Sequence, residues 1–110
     1  MATDYRKTKK YREIKQSLLE QLKKNGNNED FFIDLVNDYM SLWVIKCQLI
    51  DDISERGVTC KYQNGKEQWG FKKNDSINEL NKTNTQMLKI LTQLKIQVKE
   101  TTDDTDDDEL

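Results

Sequence analysis

Between two long amphipathic runs lies one stretch, residues 57–76, that reads as neither helix nor tail. Residues 29–56 run into it and residues 76–99 run out of it. Inside it, residues 58–62 and 67–71 flank the dipeptide Asn64-Gly65. Asn-Gly between alternating strands is the strongest short hairpin signal, because a two-residue type I′ turn needs φ > 0 at both central positions. Centring the turn there pairs Tyr62 with Glu67, Cys60 with Trp69 and Val58 with Phe71, and sets all six on one face. The other face then carries Thr59, Lys61, Gln68 and Gly70. The expectation is a small hairpin with one apolar-aromatic face, joining two long helices.

The flanking runs have helical spacing, and the chain has no proline to interrupt them. Residues 5–24 read as a first helix, with Tyr11, Ile14, Leu18 and Leu22 on one face and Leu19 beside them. Gly26 is placed for a left-handed C-cap, and Asn28 for the N-cap of the next helix. Residues 29–56 would span about 42 Å of helix. They carry two apolar stripes: Phe32, Leu35, Tyr39, Leu42, Leu49 and Ile53, and beside it Val36, Met40, Trp43, Cys47 and Ile50. Gly57 ends that helix as a C-cap. The third helix opens on Ser76-Ile77-Asn78-Glu79, which fits the Ser-x-x-Glu capping box. Ile77, Leu80, Asn84, Met87, Leu91, Leu94 and Val98 then follow a heptad seam. From Thr101 the chain turns to Thr, Asp and Glu, a composition that predicts disorder. The expected fold is mainly α: three helices with a β-hairpin between the second and third, and a disordered acidic tail. Three regions follow: a basic N-terminal helix (1–24), a helix–hairpin–helix core and oligomerisation region (25–99), and the tail (100–110).

Several function classes are set aside by what the chain lacks. No apolar run approaches the roughly 20 residues of a membrane span. The N-terminus is polar and basic, unlike a signal peptide, so a soluble cytosolic protein is expected. There is no histidine and there are only two cysteines, Cys47 and Cys60, so a zinc site of about four ligands cannot be assembled from them. Both read as buried reduced thiols. With no phosphate loop and no nucleophile beside a base, neither catalysis nor a cofactor is expected. Asp51-Asp52 and the Asp34/Asp38 pair read as solvated carboxylates on an exposed helical face.

Charge is distributed unevenly. Residues 1–24 hold eight basic groups and three acids, residues 25–99 ten of each, and residues 100–110 seven acids and no base. Arg6, Lys7, Lys9, Lys10, Arg12 and Lys15, interleaved with Tyr5 and Tyr11, form a cluster suited to phosphates. Lys61, Lys66, Lys72 and Lys73 on and after the hairpin form a second. The first two helices do not suit a helix-turn-helix, since the second leads with Glu29, Asp30, Asp34 and Asp38, a poor end for a negative groove. A three-helix monomer buries about one stripe per helix. The surplus here (Met40, Trp43, Leu88 and Ile90) points to an interface between copies, against the alternative of a broad stripe on a central helix. Asn84 either pairs across such an interface and fixes its register or faces solvent beside the stripe.

Several blocks resemble the short terminase small subunits of tailed phages and prophages. They are Glu55-Arg56-Gly57-Val58-Thr59, Asn64-Gly65, Lys73-Asn74-Asp75-Ser76, Glu79-Leu80-Asn81-Lys82 and Gln86-Met87-Leu88-Lys89-Ile90-Leu91. Upstream, Ile33-Asp34-Leu35-Val36 and Tyr39-Met40-Ser41-Leu42-Trp43 are similar too, so the likeness covers roughly residues 11–95. The resemblance implies a non-enzymatic packaging factor in the cytoplasm of the bacterial host. It would assemble into a homo-oligomeric ring, bind double-stranded viral DNA and deliver it to the large terminase subunit. DNA contacts are expected at the two basic clusters and the ring interface at Met40, Trp43, Asn84, Leu88 and Ile90. The acidic residues Asp103, Asp104, Asp106, Asp107, Asp108 and Glu109 are expected to dock on the large subunit or to cover the basic N-terminal surface. A DNA-binding regulator without a terminase partner, and a coiled-coil adaptor without DNA affinity, are the alternatives.

Overall fold

The computed structural model describes residues 3–96. The fold has three helices, α1 (Lys9–Lys24), α2 (Asp30–Arg56) and α3 (Asp75–Gln93), and a two-stranded antiparallel hairpin, β1 (Thr59–Gln63) and β2 (Trp69–Lys73), that joins α2 to α3. The mainly helical architecture is the expected one. The acidic residues 103–109, the tail as a whole and Val98 lie outside the described residues.

Local chemistry moves four helix boundaries. The first helix begins at Lys9, not at Tyr5, because Thr8 caps it. Its Oγ1 accepts the Tyr11 N–H at 3.2 Å and donates to the Tyr5 carbonyl at 2.7 Å. Tyr5–Lys7 ahead of it form a single 3₁₀ turn. Gly26, at φ 74°, closes α1 as expected, and the Asn27 N–H reaches back to the Leu22 carbonyl at 2.9 Å. The cap of α2 is Glu29, through its backbone alone, and not Asn28. α3 starts at Asp75 and is capped by Asn74, whose Oδ1 accepts the Ser76 N–H at 3.0 Å. The expected capping box fails because the Ser76 hydroxyl donates elsewhere, to Asp52 Oδ2 at 2.6 Å. At its far end α3 stops at Gln93. Lys95 turns left-handed at φ 61°, and the Ile96 N–H bonds the Leu91 carbonyl at 3.2 Å. That turn folds Leu94 fully inward, so the heptad seam closes on the protomer's own core.

The core gathers Leu18 and Leu22 of α1, Phe32, Val36 and Met40 of α2, and Leu94. Leu94 follows α3 yet meets the first half of α2, and α1's last turns do the same. Both helices are therefore antiparallel to α2, the central helix. Trp43, in the next turns of α2, takes edge-on contacts from Tyr5 and Tyr11 with ring centroids 6.1 and 5.9 Å away. Much of the second stripe of α2 is thus the seat of α1, which is the broad-stripe alternative. Met40 is fully buried inside the protomer, and Ile90 packs against the core. Met40 thus has no surface left to offer a second copy, while Ile90 keeps part of its own.

The hairpin register differs from the expected one by three residues. Cys60 pairs with Lys72, Lys61 with Phe71, Tyr62 with Gly70 and Gln63 with Trp69. The connection is five residues, 64–68, closed by the Asn64 N–H on the Gln68 carbonyl at 2.6 Å. No type I′ turn forms, since Gly65 alone in the loop has a positive φ, 136°. Two features outweigh the Asn-Gly signal. Tyr62 lies across Gly70, where a Cβ would come within 3.1 Å of its hydroxyl. At the base, the Asn74 N–H bonds the Val58 carbonyl at 2.8 Å and locks the ladder one step beyond Thr59–Lys73. An odd shift exchanges faces on one strand. Trp69 and Phe71 therefore share a face with Lys61, Gln63 and Lys73, while Cys60 and Tyr62 lie opposite them with Lys72. The expected apolar face does not exist, and an aromatic-cationic one stands in its place.

Candidate nucleic-acid interface

A hydrogen-bonded knot fixes the end of the molecule that carries the basic clusters. Asp52 Oδ1 and Oδ2 accept Arg56 Nε and Nη2, each at 2.8 Å. Asn74, fully buried, donates its Nδ2 to Asp52 Oδ2 at 3.2 Å and to the Gly57 carbonyl at 3.0 Å, and accepts Arg56 Nη2 at 3.0 Å. The Arg56 guanidinium, then the Ser76 hydroxyl and the Asn74 amide, hold the Asp52 carboxyl well below the usual carboxylate range. Four side chains thus join the end of α2, the foot of the hairpin and the start of α3. Asp52 had read as merely solvated. Its i,i+4 relation to Arg56 was visible in the sequence, but its partners Asn74 and Ser76 lie more than twenty residues on.

The same end holds the N-terminus of α1. The Tyr5 hydroxyl donates to Asp51, which raises its pKa, and its ring rests on Trp43. Asp51 lies five residues before Arg56, about 8 Å along the helix axis from where the hairpin leaves. The two basic clusters, remote in sequence, therefore come to one end of the fold.

The first cluster is exposed apart from Lys15, which is half-buried. Arg6 and Lys7 lie on the 3₁₀ turn and Lys9, Lys10, Arg12 and Lys15 on α1. Arg12 Nη1 donates to the Lys7 carbonyl at 3.2 Å and stitches the two together. Lys7 and Lys9 make loose exposed pairs with Asp4 and Glu13, at 3.9 and 3.8 Å. Such pairs contribute little and yield readily to phosphate. The first turn of α1 holds no acid, so its positive dipole end adds to the cluster. The second cluster divides. Lys61 lies over the Trp69 ring, 4.7 Å from its centroid, and Lys66 sits in the loop. Lys72 pairs with Asp75 at 3.6 Å, and Lys73 donates to Asn78 at 3.3 Å. Between Tyr5 and the end of α2, a groove lined by Thr3, Tyr5, Gln48, Asp51, Asp52, Ser54 and Glu55 carries three carboxylates. The clusters are two patches, not one stripe.

Of the remaining interface candidates, Trp43 and Asn84 are half-buried and Leu88 is 62% exposed. Phe31, Ile33, Ile45 and Ile50 also leave apolar surface in solvent. Among the described residues no group of acids and cysteines could hold a metal ion, and no helix is long and apolar enough to cross a membrane.

The model of the phage terminase small-subunit family matches residues 12–102. The chain belongs to the phage terminase small-subunit family. That span takes in α1 almost entirely, α2, the hairpin and α3, so membership covers the fold and not one motif. Membership gives this small subunit a part in phage genome packaging. Comparisons with curated proteins and with solved structures give no significant match.

Proposed function

We propose that this terminase small subunit is a non-catalytic packaging factor that binds double-stranded viral DNA and brings it to the large terminase subunit, in the cytoplasm of the bacterial host. The observation that carries the reading is the gathering of two basic clusters at one end of the fold, the first beside the positive end of α1. A few phosphate contacts per protomer bind weakly at physiological salt. Assembly into a homo-oligomeric ring would present many copies as one multivalent site. The exposed side chains of Leu88 on α3 and of Phe31, Ile33, Ile45 and Ile50 on α2 support such assembly, with Asn84 one turn before Leu88 on the same helix face. The acidic residues 103–109 would dock on the large subunit or compete with DNA for the basic end.

The test is a salt titration of duplex binding by the whole chain. Replacing Lys9, Lys10 and Arg12 with Ala should weaken binding to all sequences alike and flatten the salt slope. Unchanged binding in that variant, with loss in Lys61→Ala/Lys66→Ala, would move the duplex contact to the hairpin. Light scattering of Leu88→Asp reads assembly separately. A wild-type monomer at micromolar concentration would remove the ring from the reading.

A further inference from the structure

The hairpin buries almost nothing. Val58, Trp69 and Phe71 are 62, 56 and 69% exposed, and each strand has a single residue that is even partly buried. A two-stranded hairpin in water is marginal on its own. This one is held at its foot by the Asn74 knot, which leaves the far part of its face free for other work. On that face Phe71 and Trp69 stand edge to face, ring centroids 6.2 Å apart and planes at 86°. Lys61 covers one side of the indole, and Lys73 lies on the same face. An edge-to-face pair covers part of one face of one ring only, and with both side chains more than half exposed each ring keeps π surface open to solvent.

We propose that this face is a platform for the unpaired bases of single-stranded DNA, with Trp69 and Phe71 as the stacking groups and Lys61, Lys66 and Lys73 as the phosphate contacts. Charge selects the occupant. Residues 57–75 carry four lysines and two acids. Lys61 and Lys73 share the face of the rings and Lys66 stands in the loop beyond them, while Lys72 lies on the other face. Cations beside exposed rings are the arrangement that single-strand binders use to track a backbone while stacking its bases. Aromatic faces on a small sheet serve unpaired bases in the same way elsewhere. A second copy docked face to face would bring the same positive charge to the rings and is disfavoured there. Lys61 has two uses. In the free protein it shields the indole, and on binding it moves to a phosphate and uncovers the ring. The inference rests on the DNA-binding reading above and adds a second DNA surface to it, distinct in chemistry from the phosphate-binding end of α1.

The experiment uses the whole chain with Trp43→Phe, which keeps an aromatic ring against Tyr5 and Tyr11 and leaves Trp69 as the only tryptophan. Titration with oligothymidylate should quench Trp69 emission, and an equal length of duplex should bind without comparable quenching. Trp69→Leu/Phe71→Leu keeps apolar bulk but removes both π faces. It should weaken oligothymidylate binding about 10-fold and duplex binding less than twofold. Trp69→Phe/Phe71→Tyr should restore the single-strand affinity. Duplex binding with no quenching by single strands would overturn the platform and leave the DNA reading intact. No binding of either DNA would overturn both. A change in oligomeric mass in the Leu variant, with unaltered oligothymidylate affinity, would make the face a contact between copies and overturn the proposal.

Discussion

The two halves of α2 hold the molecule together by different means. Its first half is gripped by carbon: Phe32, Val36 and Met40 meet Leu18, Leu22 and Leu94, and little of any of them sees solvent. Its second half ends in polar chemistry, with Asp52 and Arg56 tied to Asn74 and Ser76, while the hairpin beyond shows its aromatic rings to water. Apolar burial is non-directional and fixes that elements pack. Hydrogen bonds are directional and fix how they are aimed. The end that must hold the fold uses the first. The end that carries the basic patches and the exposed rings uses the second, which sets position without covering surface.

The largest expected effect breaks the comparison at its buried end. Met40→Ala should cost about 2–5 kcal/mol, and Met40→Asp more, since it places an unpaired carboxylate in the core. Against the 5–15 kcal/mol typical of a whole domain, Met40→Asp should abolish cooperative melting. Because Met40 lies inside the protomer, this loss reports on folding and not on assembly. A folded Met40→Asp chain of lower oligomeric mass, by circular dichroism and light scattering, would return Met40 to an interface.

A smaller effect is expected at the polar end. Asn74→Ala takes one donor each from the half-buried Gly57 carbonyl and Asp52 and removes the buried cap of α3, and should cost about 1–2 kcal/mol. The pH dependence follows from Asp52. Its carboxyl is held below the usual range in the folded protein, so its contribution is fully present above the unfolded value of about 4. That contribution falls away as pH drops below it toward the folded value. Thermal melts should therefore show wild-type stability declining more steeply below about pH 4 than that of Asp52→Asn. Equal slopes would show that the knot does not fix Asp52 as its geometry implies.

How far each end was legible in the sequence follows the same division. Helix existence, the Gly26 and Gly57 caps and the apolar stripes were readable, because spacing and glycine act locally. Which neighbour each stripe of α2 would meet was not, since Trp43 needed the path of Tyr5 and Tyr11 to become an internal contact. At the hairpin a local rule gave the wrong register. Asn64-Gly65 is a true turn signal, yet Gly70 under Tyr62 and the Asn74–Val58 bond are cross-strand facts, and they act together against one dipeptide. Asn74 itself had a readable clue, an Asn directly before Asp-Ser at a helix start. The Ser76 capping box competed for the same role. The basic clusters were legible as charges, but their arrival at one end depends on the antiparallel packing of α1 on α2.

The smallest expected effect sharpens the comparison within the hairpin. Gly65 sits at φ 136°, a backbone conformation that disfavours any side chain, with open space where a Cβ would go. Gly65→Val therefore meets strain and no clash, a local cost of about 1 kcal/mol that fraying of the loop relieves. If the register is set at the foot by Asn74, the strained loop can fray without unpairing Thr59 from Lys73. The melting temperature should then fall only slightly, because the loop shares no contact with the core. Hydrogen exchange should quicken at Asn64 and stay protected at Asn74, whose N–H bonds the Val58 carbonyl. If protection is lost at both ends together, the turn and not the knot sets the register. The polar end would then depend on its tip, and the separation between the apolar hold on α2 and the hydrogen-bonded aim of the hairpin would have to be redrawn.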